Sequence, residues 1–224
     1  MRLRSFLSII ILGLSAALFA VLAAFIPVIR NFCIALTLIY GVGVVALAAR
    51  FYWARWFARG LGWWGVMSGC LLMYVSGGVT RELLSFTIAH GIVLALLNSK
   101  SVIQAYDGQE AWRKELDEKM QRRMANLFTN LGTALPYIAF YALIPRGSGA
   151  AEIVGLGLLG AALFGLARGK SWGLLGVGVT AMFLAALGVH TASCSGVLLG
   201  LFVAAGFLPF VPTIVRFLRG APAR

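Results

Sequence analysis

The sequence predicts an all-α membrane protein, a polytopic bundle of about eight transmembrane helices with both termini on the cytoplasmic side. Three observations carry that prediction. Of the 224 residues 61% are hydrophobic and only 12% charged, with a mean hydropathy of +0.92. The apolar residues fall into runs of spanning length, and the basic residues collect at alternate junctions between those runs. A soluble domain carries about 25% charged residues. Half that supply cannot cover a water-facing surface, whereas lipid-facing side chains can be as apolar as core ones. The lipid bilayer is therefore the first expected partner.

A spanning helix needs about 20 apolar residues, within a range of roughly 17 to 25. The first run, 6–29, follows Met1-Arg2-Leu3-Arg4 and is too long for a signal-peptide core, so it reads as an uncleaved signal anchor and first span. Arg30 and Asn31 close it. The second run is 32–49, ending at Arg50, and the third is 61–80, ending at Arg81 and Glu82. The fourth, 83–98, is short and carries His90; Gly77 and Gly78 mark the turn before it. After a polar stretch come 127–145, 150–167, 172–189 and 195–215. Pro136 is expected to break the fifth run, and Pro209 and Pro212 to kink the eighth.

Charge placement tests the count. With the N-terminus inside, sixteen of the 19 basic residues fall on the inner side and only Arg30, Arg81 and Arg146 on the outer. That is the asymmetry of the positive-inside rule, and removing one span would put Arg216, Arg219 and Arg224 on the wrong side. The expected location is a plasma (inner) membrane. Trp53, Trp56, Trp63 and Trp64 flank the second inner loop and Trp172 opens the seventh run, placements suited to interfacial indoles. The net charge of +12 does not indicate nucleic acid, because the basic residues sit at the ends of apolar runs rather than on one face of a soluble domain.

The chain divides into a first four-helix half at 1–98, a cytoplasmic segment at 99–126 and a second four-helix half at 127–224. Ala58-Arg59-Gly60 with Trp64-Gly65 resembles Ala167-Arg168-Gly169 with Trp172-Gly173. Recurrence of Arg, Gly and Trp at inner interfaces explains the match better than duplication does. From Lys100 to Arg123, five acids and six bases nearly cancel. Glu110/Lys114, Glu115/Lys119 and Glu118/Arg122 are helix-supporting pairs four residues apart. Trp112, Leu116 and Met120 repeat at the same spacing, so the segment reads as an amphipathic helix on the cytoplasmic surface or an extension of the fourth span. A solvated connector is the plainer reading; a docking stripe for a protein partner is the functional one.

Ionisable groups at membrane depth are functional candidates by default. His90 lies about 12 Å along a helix from Glu82, near the midplane. Glu82, Phe86 and His90 share one broad face, and Arg81 adjoins it, making a candidate polar cavity. A neutral histidine hydrogen-bonded to another helix is the structural alternative. His190, Cys194 and Cys33 would all lie near the outer surface and are weak metal candidates, since their spacing lacks a ligand signature. A Cys33–Cys194 disulfide is the other possibility there, and Cys70 is expected to pack as a small hydrophobe. Glycines at 155, 157 and 160 and at 173, 176 and 178 suit close helix packing. The motifs HExxH and GxSxG and paired intramembrane aspartates are missing, so catalysis is not the expected role and no cofactor is expected. Two function classes remain. The first is a non-catalytic membrane subunit or scaffold acting through helix packing and its 99–126 segment. The alternative is a small-solute transporter or permease with a cavity near His90 and Glu82.

Overall fold

The computed structural model describes residues 2–107, 118–143, 149–168, 170–190 and 194–212, and every element among them is helical. In chain order these are α1 (Arg2–Phe25), a 3-10 turn (Pro27–Ile29), α2 (Arg30–Ala48), α3 (Ala54–Val75), α4 (Arg81–Leu97) and α5 (Lys100–Asp107). Then come α6 (Glu118–Leu143), α7 (Gly149–Ala167), α8 (Ser171–His190), α9 (Cys194–Phe207) and a 3-10 turn (Leu208–Phe210). Apart from α5, the helices follow the order of the apolar runs. Among the described residues, two segments are long and apolar enough by length and composition to cross a membrane, Leu3–Phe25 and Pro27–Ala48. Arg81–Leu97 with Lys100–Tyr106, bent by 67°, makes a third if counted as one span. That is fewer than the eight runs of the sequence. The helix α4 has 17 residues, and the apolar parts of α7 and α8 are the shorter Ile153–Ala167 and Trp172–Leu187. α3 is long enough at 22 residues but carries Arg55, Arg59 and glycines at 60, 62, 65 and 69.

α3 packs against α4 on one side and α6 on the other, while α1 packs on α2 and α4. α6 also meets α2, α7 and α9, and α8 lies between α7 and α9. The α3–α6 crossing has a specific cause. A Cβ on Gly60 would collide with the Thr129 carbonyl oxygen, and one on Gly132 with the Phe57 carbonyl oxygen. Two absent side chains thus let the backbones touch, and Thr133 Oγ1 donates to the Gly60 carbonyl across the joint at 3.1 Å. On α7 the comparable approach uses Gly165 against Gly173 of α8, whereas Cβ atoms on Gly157 and Gly160 would meet nothing within 4 Å.

The start of α3 differs from the sequence expectation. The helix begins at Ala54, seven residues before the apolar run, so Arg55 and Arg59 lie in its first turns instead of in a loop. Of the five tryptophans placed at interfaces by the sequence, Trp53, Trp56 and Trp64 are buried, and Trp63 and Trp172 are exposed. Trp53 stacks on Phe128 of α6 with centroids 5.8 Å apart, and Trp56 stacks on the same ring at 6.2 Å. Their burial follows from the early helix start, which carries residues 53–60 onto α6.

Buried donors at this level meet helix C-termini, whose last carbonyls lack intrahelical partners. Tyr52 Oη donates to the Leu166 carbonyl at 2.8 Å, and Tyr106 Oη to that of Leu47 at 2.8 Å. Arg55 Nη1 donates to Leu97 O at 3.5 Å. The ends of α7, α2 and α4 therefore lie at the end of the bundle where α3 begins and where α5 docks. A cation against a helix C-terminus is also favoured by the backbone dipole.

The turns follow local chemistry. Gly77 takes φ +68° after α3, and the Gly78 N–H reaches back to the Met73 carbonyl in a Schellman-type closure. Arg50 closes α2 in the same way at φ 56°, an uncommon conformation for a residue with a Cβ. Thr80 caps α4 by accepting from the Leu83 N–H. Pro136 does not break its helix, which runs through it from Glu118 to Leu143. At Pro209 the α-helix ends, at Phe207, and tightens into the 3-10 turn.

Candidate functional site

His90 lies on α4 with none of its surface exposed. Its Nδ1 is 2.8 Å from the Phe86 carbonyl oxygen, one turn earlier, and its Nε2 is 2.7 Å from Tyr40 Oη on α2. A carbonyl oxygen only accepts, so Nδ1 carries the hydrogen. In the neutral ring Nε2 then accepts from the tyrosine O–H. Both nitrogens are engaged, and the ring links α2 to α4.

The walls around the ring are aromatic. Phe86 lies 4.2 Å from it, centroid to centroid, and Tyr40 meets it edge-on at 5.8 Å. Phe19 of α1 lies 5.4 Å from Tyr40 and 6.2 Å from Trp64 of α3. Trp64 is in turn 6.3 Å from Tyr137 of α6. Tilted and edge-on pairs of this kind add attraction beyond simple burial. Gly65 seals the α3 side, since a Cβ there would run into the imidazole. Further along the same face, Gly62 meets Leu94 and Gly69 meets Thr87. The glycines of α3 thus form the bed on which α4 lies.

Glu82 and Arg81 sit on the same helix but are exposed at its N-terminus, where the acidic side chain suits the helix dipole. The fold does not bring them to His90. Two surface grooves open elsewhere, and none of the three residues lines either of them. Of the proposed docking stripe, Trp112 and Leu116 lie outside the described residues. Met120 is half-buried against the edge of the core, near the start of α6. The Glu118–Arg122 pair joins at 2.6 Å on the exposed face.

Cys33 is a buried free thiol in α2, and His190 is exposed at the end of α8. Cys194 opens α9, and its side chain lies outside the described residues. Among the described residues, no three of His, Cys, Asp and Glu converge on a point that would hold a metal ion. Cys70 is exposed on α3 rather than packed inside.

The sequence reading missed Tyr40, the partner that occupies His90. A signal was present: Tyr40 and His90 are polar-tipped residues that each stand eight to ten residues from a charged or polar inner junction, Arg50 and Asn98. No protein-family model matches the chain, and neither a curated protein nor a solved structure matches it.

Proposed function

We propose that this chain is an eight-span integral membrane protein of the plasma (inner) membrane, with both termini cytoplasmic. In this reading it works as a non-catalytic membrane subunit or scaffold and receives a protein partner on the 99–126 segment between its two four-helix halves. The observation that carries the role is the closure of His90. A transport site at the midplane needs a polar group facing a wet cavity, and here that group has both nitrogens engaged and is enclosed by Phe19, Tyr40, Trp64 and Phe86. The helices too short to count as spans by length and composition still leave large apolar side chains exposed, among them Ile88 and Ile92 of α4, Phe164 of α7 and Met182 of α8, which suits lipid contact along the bundle. The sixteen-to-three charge asymmetry supports the orientation. So does the meeting of the α2, α4 and α7 C-termini with Tyr106, Arg55 and Tyr52, which gathers Arg50, Lys100 and Arg168 at one end.

A gentle-detergent pull-down from native membranes, with a tag after Arg224, tests the role. The expected result is a stoichiometric partner that is lost in a Trp112→Ser/Leu116→Ser variant. Met120 is left intact because it packs on the bundle. Recovery of the chain alone and well folded, together with solute uptake that a His90→Ala variant abolishes, would overturn the subunit reading in favour of transport.

A further inference from the structure

α2 and α7 lean on α6 from either side, and between them runs an open groove of about 440 Å³. Its floor is the buried aromatic layer of Trp53, Phe57 and Phe128, and its walls are Leu38 and Val42 of α2 and Phe164 of α7, all three exposed. Every lining residue is apolar. Along α7 the lining extends from Leu156 to Ala167, about 16 Å of helix. That is close to the roughly 15 Å thickness of one leaflet of bilayer hydrocarbon.

The groove has a polar end. Beyond Ala167 the exposed Arg168 folds back so that its guanidinium lies 4.6 Å from the centre of the Phe164 ring, and exposed Lys170 follows two residues later. An apolar channel one leaflet long with a cation held at its mouth has the charge pattern of an anionic lipid, whose acyl chain is apolar and whose phosphate is negative. The guanidinium fork matches a phosphate geometrically as well as electrostatically. A soluble apolar ligand would give the mouth cation nothing to bind, and a second helix would bring no anion unless it carried an acid at that depth.

We propose that this groove binds one acyl chain of an anionic glycerophospholipid from the surrounding membrane, with the lipid phosphate held at Arg168. The proposal rests on the reading that the bundle sits in a bilayer. It assigns the α2–α7 face to a resident lipid rather than to the protein partner, which the 99–126 segment receives.

The full chain is reconstituted in bilayer discs of equal phosphatidylglycerol and phosphatidylcholine, released into gentle detergent, and its retained lipid measured by native mass spectrometry. The parent protein is expected to keep one phosphatidylglycerol in preference to phosphatidylcholine. Arg168→Gln should reduce that preference about five-fold, the effect of one cation near a membrane surface. Gly160→Leu should lose both lipids. Gly160 lines the groove, and a Cβ there meets nothing within 4 Å, so the side chain fills the space without displacing a helix. Equal lipid on all three proteins, equal retention of the two lipids by the parent, or a lipid-free dimer mass would each overturn the proposal. Alkaline carbonate washing separates the two readings. A chain that washes off membranes sinks the membrane reading itself, whereas one that stays and shows the same lipid in the parent and in Gly160→Leu sinks the groove alone.

Discussion

Changing Gly60 or Gly132 to alanine is expected to destabilise the bundle by about 3 kcal/mol or more, the upper part of the range for overpacking a tight joint. The added methyl has no place to go. On Gly60 it meets the Thr129 carbonyl oxygen and the Gly132 backbone, and on Gly132 it meets the Phe57 carbonyl oxygen. These are backbone atoms, which cannot rotate aside as a side chain can, so α3 and α6 must separate. Separation also lengthens the Thr133 hydrogen bond to Gly60 and loosens Phe128 from Trp53. Gly91→Ala on α4 is the control, because a Cβ there meets nothing within 4 Å. It should be neutral or stabilising by up to about 1 kcal/mol, the helix-propensity difference between the two residues. Unfolding followed by tryptophan fluorescence in detergent reads all three. The double variant should cost less than the two single losses added together, because the first substitution has already parted the helices. Strict additivity, or an unaffected Gly60→Ala, would show that α3 and α6 do not cross at these glycines.

The second large effect concerns Tyr40 and His90. Tyr40→Phe removes the hydroxyl that donates to Nε2 and leaves a buried acceptor unpaired, at an expected cost of about 1–3 kcal/mol. His90→Leu leaves the Tyr40 hydroxyl unpaired and should cost a similar amount. Joined in one chain, the two substitutions remove both partners, and the double variant is expected to be more stable than the sum of its parts by about 1 kcal/mol. Interhelical hydrogen bonds in membrane bundles average about 0.6 kcal/mol and reach about 1.7. A coupling of that size marks His90 as a cross-link between helices. Zero coupling, with the stability of His90→Leu unchanged, would mean that the imidazole is not held by Tyr40 and is free to face a ligand.

Helix positions were largely legible in the sequence, because an apolar run bounded by charge or glycine specifies a helix almost without tertiary help. The run 32–49 becomes Arg30–Ala48, 83–98 becomes Arg81–Leu97 and 172–189 becomes Ser171–His190. The start of α3 was not legible. Hydropathy reads Arg55 and Arg59 as loop residues, but an arginine can lie in a buried first turn when a neighbouring helix offers it terminal carbonyls, as α4 does at Leu97. Pro136 misled for a related reason, since packed neighbours allow a helix to run through proline. His90 was legible as a buried polar group, but its partner was not. A period along one helix says nothing about which residue of another helix stands opposite. The separation of Glu82 from His90 has the same origin: the two share a helix face, but that face is exposed at Glu82 and enclosed at His90.

Reporter fusions decide whether the chain crosses the membrane repeatedly with both ends inside. A reporter active only in the cytoplasm and one active only after export are placed in turn after Gly78, Lys100, Ser148, Gly169, Ser193 and Arg224. Export is expected at Gly78, Ser148 and Ser193, and cytoplasmic signal at Lys100, Gly169 and Arg224. Cytoplasmic signal at every junction beyond Ala48 would contradict that pattern and leave a chain anchored by Leu3–Phe25 and Pro27–Ala48 alone.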